Sequence, residues 1–342
     1  DHKRLSQAVH SAFALTLVMS VVLTILGVFG TKPLLYAVGI PDDVFPESAT
    51  YLNIYFSGII FSLIYNMGSG ILRAVGDSTR PLYFLIVACI TNIILDQLFV
   101  RVFHLGVAGV GIATLLSQAL SSFLVLWILI KSDDVYKLKI RHIKFNMPIL
   151  KKIIFIGLPT GLQQSIVSLS NVIVQSYVNA FGSSVVAGYS ATIRIDGFVQ
   201  LPLQSFNMAI TTFVGQNIGA KKYDRVKKGT KTAMFMTLGV IALIVVALFG
   251  FGKDFISVFN SDPSVIEAGW TMLFAFLPFY LLLPIVQIYN GVLRGAGKSS
   301  VPMYIMVLNF VVLRQIYLAI VTKMTSDLYF IFFGWPITWI TC

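Results

Sequence analysis

Nine apolar runs of this chain are each long enough to cross about 30 Å of hydrocarbon. They lie near residues 10–38, 51–72, 81–103, 107–130, 149–179, 184–215, 232–251, 266–292 and 302–322, and a tenth begins near residue 328. Hydrophobic residues make up 57% of the chain and charged residues 11%, a balance that water-soluble domains do not have. Lipid cannot satisfy the open edge of a sheet, so these runs are expected to be helices. The sequence predicts an all-α integral membrane protein.

A long internal repeat limits how these helices are arranged. Residues 70–83 (GILRAVGDSTRPLY) and 291–304 (GVLRGAGKSSVPMY) lie 221 positions apart and are identical at 7 of 14 positions. The match continues without a gap toward the N-terminus, where Arg4 corresponds to Arg225. One large module used twice in a membrane chain is typical of transporters.

The repeat also predicts helices that this chain does not contain. The second unit starts near Pro148 with two helices whose counterparts would precede Asp1, and the counterpart of 107–130 would extend beyond Cys342. We therefore expect about ten of twelve helices, arranged as two pseudo-symmetric six-helix lobes. The expected parts are an N-terminal lobe (1–131), a cytoplasmic inter-lobe linker (132–148) and a C-terminal lobe (149–342).

Basic residues are concentrated on one side of the predicted helices. Most of the 25 Lys and Arg fall in segments 1–9, 73–80, 131–152, 216–231 and 293–301. The positive-inside rule assigns these segments to the cytoplasm. The net charge of +11 is then explained by topology and by attraction to anionic lipid, and no nucleic-acid-binding motif interrupts the helices. We expect a multi-pass protein of a bacterial plasma (inner) membrane, with lipid and no nucleic acid as partner.

The sequence shows no pattern of a metalloenzyme or a nucleotide-driven pump. Its two cysteines, Cys89 and Cys342, are far apart, and its four histidines do not have the spacing of metal ligands. It contains no Walker loop for ATP. We expect no enzymatic activity and no cofactor.

Several segments resemble the multidrug and toxic compound extrusion (MATE) family of cation-coupled antiporters. They are LRAVGDSTRP (72–81), NIILD (92–96), GVAGVGIATLLSQ (106–118), GLPTGLQQS (157–165) and FVGQNIGAKKYDRVKKG (213–229). The resemblance implies twelve helices in two lobes and export of cationic, amphipathic compounds in exchange for Na⁺ or H⁺ by alternating access. It leads us to expect a monomer with small cationic molecules as substrates.

Two alternative functions remain open. A lipid-linked precursor flippase of a related superfamily has similar helix content, but such a flippase usually lines its cavity with cationic residues. Away from the ends of the predicted helices, the cationic residues here are Arg194 and Arg314. The second alternative is a truncated product that does not transport.

Asp96 is the acidic residue that most needs an explanation, because an unpaired carboxylate inside an apolar helix costs at least about 2.5 kcal/mol. Asn92 lies one turn earlier on the same helical face, and Thr114 lies at similar depth on the next, antiparallel helix. Oxygen ligands of this kind suit Na⁺, and the carboxylate alone suits H⁺. The resemblance supports this interpretation, because in related members an Asn-x-x-x-Asp pair and a Thr of the following helix belong to the coupling-ion site. We predict cation coupling at these three residues.

Polar and aromatic residues of later helices are candidates for a substrate cavity. They are Gln164, Ser168, Asn171 and Gln175 in one stripe, Gln200, Gln204 and Asn207 in a second, and the aromatic Tyr280. Polar stripes are unfavourable against lipid, so both should face the bundle interior. There they either contact substrate or bond to neighbouring helices.

Three intramembrane charges have open roles. Arg194 and Asp196 are two residues apart and do not face each other on a helix. Each either neutralises another charge or belongs to a second proton or substrate site. Arg314 is expected to hold its lobe together by donating to carbonyls, in preference to contacting a substrate, because it would repel cations. Pro278 and Pro284 each remove a backbone hydrogen bond and predict a kink in the helix that contains them.

Overall fold

Helices make up the regular structure of the chain in the computed structural model, which describes residues 2–325 and 327–342 apart from the side chain of His2. Over that range no strand occurs. By length and apolar composition, seven of the described helices can cross a membrane, or eight if one bent helix pair is a single span. The prediction of an all-α membrane protein is confirmed.

The first of two units extends to Ile153. Its helices are α1 (His2–Val38), α2 (Phe45–Ser57), α3 (Ile59–Ala74), α4 (Thr79–Gln97) and α5 (Gly106–Lys131). Helix α1 packs against α2 and α3, and α5 packs against α2, α3 and α4. Leu72, Val125 and Leu129 are fully buried between these helices. The predicted apolar runs of this unit are therefore all helical.

The linker is folded back onto the start of α1. The N–H of Lys139 donates to Nε2 of His10 at 3.1 Å, and the N–H of Asn146 donates to Oγ of Ser11 at 2.9 Å. Leu138 is buried beneath this segment. The linker therefore packs with the first unit.

The second unit covers Ile154–Cys342. Its helices are α6 (Met147–Asn179, most of which belongs here), α7 (Ser183–Gly219), α8 (Tyr223–Ser257), α9 (Pro263–Phe276), α10 (Leu283–Gly295), α11 (Ser300–Val307), α12 (Arg314–Met324), α13 (Leu328–Phe332) and α14 (Gly334–Thr341). Helix α7 is central and packs against α8, α9 and α10.

Small residues let α7 approach its neighbours closely. The Thr192 hydroxyl donates to the carbonyl of Gly269 on α9 at 3.0 Å. A Cβ added to Gly291 on α10 would lie 2.8 Å from the carbonyl oxygen of Asn207 on α7. The Asn207 amide donates to the carbonyl of Gln287 on α10 at 2.6 Å. Close backbone contact and interhelical hydrogen bonds are the usual means of holding membrane helices together.

The sequence repeat is matched by a structural repeat. Helix α3 ends at Ala74 and α10 at Gly295, which are equivalent positions. Two residues later, Gly76 and Gly297 have φ values of +96° and +77°. The residue after each glycine returns its N–H to a carbonyl in the last helical turn, at 2.9 and 2.8 Å. Glycine at such a position ends a helix without steric cost, so both copies end in the same way.

Equivalent spans of the two units are also broken at equivalent places. Helices α2 and α3 meet at Gly58 with a bend of 43°. In the second unit a 3₁₀ segment, Leu277–Leu282, separates α9 from α10 and includes the repeat counterpart of Gly58. Pro278 and Pro284 accompany this break, which takes the form of a change of helix type.

Helix α9 begins with an acidic cap at its solvent-exposed end. The Asp262 carboxylate accepts hydrogen bonds from the Ser264 hydroxyl at 2.7 Å and from the Ser264 N–H at 2.8 Å. These bonds lower the pKa of Asp262 below its ordinary value, because both favour the charged form.

Candidate functional site

Asp96 lies in the last turn of α4, one turn after Asn92. A π-helical segment, Leu98–Val102, begins two residues later. Oδ1 of Asp96 and Nδ2 of Asn92 are both buried and have no hydrogen-bond partner among the described residues. Buried polar atoms in proteins nearly always have partners, so two orphan atoms one turn apart indicate a place for a ligand.

Thr114 lies on α5, the helix that packs against α4. Its hydroxyl donates to the carbonyl of Val110 at 3.0 Å, which leaves lone pairs on its oxygen. The structure thus places the three predicted coupling residues on two neighbouring helices. No hydrogen bond joins them in the described part of the chain.

The sequence analysis missed a further orphan atom, Oδ1 of Asn53. Asn53 lies on α2, which also packs against α5. It is 8 residues from the start of α2 at Phe45, or about 12 Å, and Asp96 is about 10 Å from the same side of the membrane. The signal in the sequence was an amide inside an otherwise apolar span.

Residues of the three helices α2, α4 and α5 carry the kinds of oxygen that a hard monovalent cation binds. Asp96 offers a carboxylate oxygen, Asn53 an amide oxygen and Thr114 a hydroxyl oxygen. Rotation of the Asn92 amide by half a turn presents its oxygen in place of its nitrogen, since the two are nearly isosteric. A proton on Asp96 alone would also satisfy the orphan carboxylate.

The charged pair of α7 is divided between two environments. Arg194 is exposed and its guanidinium lies 5.6 Å from the ring centre of Phe259. Asp196 points inward, where Oδ1 accepts a hydrogen bond from the Tyr280 hydroxyl at 3.0 Å and Oδ2 accepts one from the Gln200 amide at 3.5 Å. The two charges do not face each other, as their spacing predicts.

Arg314 is fully buried in the second unit. Its Nη2 donates to Oγ of Ser170 at 2.7 Å and to Oδ1 of Asn171 at 2.8 Å. Its guanidinium also lies over the rings of Phe310 (5.2 Å) and Trp335 (5.6 Å). These contacts join α12 to α6 and α14 within the second unit.

The first polar stripe lies on the exposed face of α6, and its role in a substrate cavity stays a prediction. Gln164, Ser168 and Asn171 are exposed. The buried polar residues of α6 are Gln163 and Ser170. Gln163 is one residue before Gln164, and Ser170 is one residue before Asn171. One residue corresponds to a rotation of about 100° around an α-helix. Asn171 nevertheless accepts a hydrogen bond from Arg314.

Gln175 completes that stripe. It is half-buried and its amide donates to Oδ1 of Asn179 at 2.9 Å, on its own helix. This contact leaves its role in a substrate cavity a prediction.

The second polar stripe also contains both exposed and buried residues, and the aromatic candidate Tyr280 is buried. Gln204 is exposed, whereas Asn207 is buried against α10 and Gln200 bonds to Asp196. Tyr280 is fully buried. Asn207 and Tyr280 therefore do not line an accessible cavity, because packing and hydrogen bonds within the unit enclose both.

A surface cleft of about 490 Å³ lies at the opposite end of the first unit from Asp96. Its lining includes the Asp77–Arg80 ion pair (3.3 Å) and Asp134 of the linker. This cleft is distant from the orphan atoms of α2 and α4, so we do not assign it to ion coupling.

Comparison with known proteins places this arrangement in a family. The sequence profile of the MatE family matches residues 1–98 and 159–320. The chain is 31% identical over 326 residues to the probable multidrug resistance protein YpnP of Bacillus subtilis, covering 94% of this chain and 72% of that protein. It is 23% identical over 262 residues to the multidrug export protein MepA of Staphylococcus aureus strain N315, covering 76% and 58%.

Solved structures show the same fold. The crystal structure of a MATE protein in complex with MaL6 superposes with a TM-score of 0.92 at 23% identity, over 99% of this chain and 76% of that one. An outward-facing multidrug resistance MATE transporter of the MOP superfamily gives 0.89 at 24% identity, over 98% and 75%. On the extent of the profile match, this chain belongs to the MatE family of multi-pass multidrug efflux transporters.

Proposed function

We propose that the protein is a secondary antiporter that exports cationic, amphipathic compounds in exchange for Na⁺ or H⁺ across a bacterial plasma membrane. The observation that carries this proposal is the orphan carboxylate oxygen of Asp96, beside the orphan amide of Asn92. The names of the relatives, a probable multidrug resistance protein and a multidrug export protein, agree with export of drugs. We expect the protein to work as a monomer, with its basic loops against anionic lipid.

The cost of the orphan carboxylate explains why Asp96 would bind an ion. An unpaired charge at the centre of a membrane helix costs about 2.5–3.5 kcal/mol on insertion scales. A bound Na⁺ or a proton removes that cost, whereas release of the ion restores it. The ion-bound and ion-free forms of α4 therefore differ in free energy, and such a difference is what shifts a transporter between two states. We assign the movement to the π-helical segment beside Asp96, since π-helical turns occur often at functional sites.

The exposed polar faces of α6 and α7 support a hydrated path for the substrate. Gln164 and Ser168 on α6 and Gln204 on α7 are exposed within membrane-spanning helices. Polar side chains of this kind are unfavourable against lipid, so we infer that they face water. A hydrated path with neutral polar walls accepts a cation without repelling it.

The two intramembrane arginines do not supply the cationic wall that a diphosphate would need. Arg314 is fully buried and bonded to Ser170 and Asn171. Arg194 lies against the ring of Phe259. This arrangement favours the exporter over the flippase.

The test is Asp96→Asn in the natural full-length transporter, reconstituted in proteoliposomes. Asparagine keeps the volume and some hydrogen bonding but can neither carry the charge nor titrate. We expect loss of ethidium efflux driven by an imposed Na⁺ or H⁺ gradient, with folding and insertion retained. Thr114→Ala should be milder because water can replace one neutral oxygen, and Asn92→Ala and Asn53→Ala should be intermediate. Efflux by Asp96→Asn at the parental rate would show that this carboxylate is structural.

A further inference from the structure

A second carboxyl group, Asp196 on α7, lies outside the proposed coupling site of the first unit. It is the acidic residue furthest inside the second unit, and it forms no ion pair among the described residues. The ion pair Lys253–Glu267 of the same unit, at 2.9 Å, does not include Asp196. A membrane carboxyl group without a cationic partner needs another explanation, because its ionised form is costly.

The bonds of Asp196 come only from neutral groups. Oδ1 accepts from the phenol of Tyr280 at 3.0 Å. Oδ2 accepts from the Gln200 amide at 3.5 Å, which is the long limit for a hydrogen bond. Neither donor carries a charge that would hold the carboxyl group ionised. Once Asp196 is neutral, the Tyr280 hydroxyl can accept a hydrogen bond from it, and Gln200 can do so through its amide oxygen after rotation by half a turn.

The surroundings of Asp196 exclude a bulky ligand on the side of Tyr280. Tyr280 is fully buried and its ring stacks on that of Trp339 with centres 5.5 Å apart. Phe276 packs edge-on against both rings, and it too is fully buried. A proton is the one cation that needs no added volume in such a packed layer.

The other charged and titratable groups around α7 have partners of their own. Arg194 on α7 contacts Phe259, and Lys253 of α8 pairs with Glu267 of α9 at 2.9 Å. Arg314 of α12 binds the hydroxyl and amide oxygens of α6. Tyr189 of α7 packs its ring against that of Trp335, with ring centres 5.9 Å apart.

The donor to Asp196 lies in the broken part of the α9–α10 span. Tyr280 belongs to the 3₁₀ segment Leu277–Leu282, with Pro278 inside that segment and Pro284 just after it. Each proline removes one backbone hydrogen bond from the span. A hydrogen bond to an ionised carboxylate is roughly twice as strong as one to a neutral group. Protonation of Asp196 would therefore loosen the contact that holds this segment against α7.

We propose that Asp196 is a proton-binding site of the second unit, and that Tyr280 transmits its protonation state to the 3₁₀ break. A proton from water adds to Oδ2, the oxygen with the longer hydrogen bond. The hydrogen bond from the Tyr280 hydroxyl to the neutral carboxyl group is then weaker than the bond to the carboxylate. Deprotonation returns the proton to water and restores the stronger bond. As a step in transport this site rests on the proposed antiport, but proton binding itself does not.

The test is infrared difference spectroscopy of the purified chain in nanodiscs as the pH is varied. A protonated carboxyl group absorbs in its own C=O region, apart from the amide bands. We expect a titrating C=O band that is lost in Asp196→Asn and kept in Asp96→Asn. In Tyr280→Phe the band should remain, with its midpoint about one pH unit higher than in the wild type, because one hydrogen bond to the charged form has been removed.

Two results would overturn the proposal. One is an unchanged C=O band in Asp196→Asn. The other is an unchanged midpoint in Tyr280→Phe, which decides the matter even if Asp196→Asn fails to fold. Failure of the antiport is seen separately, as efflux that survives Asp96→Asn, so the two proposals are refuted by different measurements.

Discussion

The hydroxyl of Ser170 is the centre of the polar contact that ties α6 to the rest of the second unit. It accepts from Arg314 at 2.7 Å and from the Gln315 amide at 2.9 Å, and it donates to the carbonyl of Phe310 at 2.5 Å. That carbonyl lies in the π-helical segment Leu308–Leu313. Removing one oxygen therefore breaks three interhelical hydrogen bonds at once.

The expected cost of Ser170→Ala follows from those three bonds. The bond from the buried guanidinium of Arg314 involves a charge and is worth about 1.5–3 kcal/mol. Each neutral interhelical bond in a membrane adds about 0.6 kcal/mol. We expect Ser170→Ala to lower the free energy of unfolding by about 3–4 kcal/mol. The matched control is Ser168→Ala, which should change it by less than about 0.5 kcal/mol. Ser168 is exposed, two residues away, and makes no side-chain hydrogen bond to a described residue.

The assay is reversible unfolding by SDS titration, followed by tryptophan fluorescence. Trp335 lies 5.6 Å from the Arg314 guanidinium and reports on this contact directly. If Ser170→Ala is as stable as Ser168→Ala, the polar contact does not hold α6 and the reasoning fails.

Three other predictions concern packing, a helix cap and topology. Gly291→Ala should lower the free energy of unfolding by about 1–3 kcal/mol, because the new Cβ would meet the α7 backbone. The control Gly239→Ala, whose Cβ would meet nothing within 4 Å, should leave it unchanged, and equal melting temperatures of the two variants would refute this. The pKa of Asp262 is lowered in the folded state, so the carboxylate should stabilise the fold above its ordinary pKa, and this effect should be lost as the pH falls through the lowered pKa. Asp262→Asn should therefore make the melting temperature depend less on pH over that range. Cysteines placed in 131–148 should react only with cytoplasmic reagents and one near Asp43 only with external ones, and labelling of that loop by an impermeant reagent in intact cells would reverse the topology.

The two units carry opposite charges next to similar helix irregularities. In the first unit Asp96 lies two residues before the π-helical segment Leu98–Val102. In the second unit Arg314 directly follows the π-helical segment Leu308–Leu313. Asp96 has an orphan oxygen and an ion-binding role is proposed for it, whereas Arg314 donates through Nη2 to Ser170 and Asn171 and leaves Nε and Nη1 without described partners. The two irregularities do not occupy equivalent positions of the repeat, because Leu308–Leu313 corresponds to residues 87–92, which are α-helical.

The sequence by itself determined the class of fold, the spans and the repeated turns. Apolar length requires a helix in lipid whatever the rest of the chain does, and this explains why the runs became helices. The turns at Gly76 and Gly297 each need one residue with a left-handed backbone just after a helix. They are therefore determined by a few neighbouring residues. The pair Asn92 and Asp96 was visible for the same reason, since four residues make about one helical turn.

Only the tertiary structure decided which polar residues are enclosed and what they touch. The sequence marks Ser168 as part of a polar stripe, and the rotation of α6 leaves Ser168 exposed in its unit and buries Ser170. The bond between Asp196 and Tyr280 joins residues 84 positions apart, and the bond between Ser170 and Arg314 spans 144. One residue of helix rotation moves a side chain by about 100°, and that rotation is set by the packing of neighbouring helices, which no local pattern records.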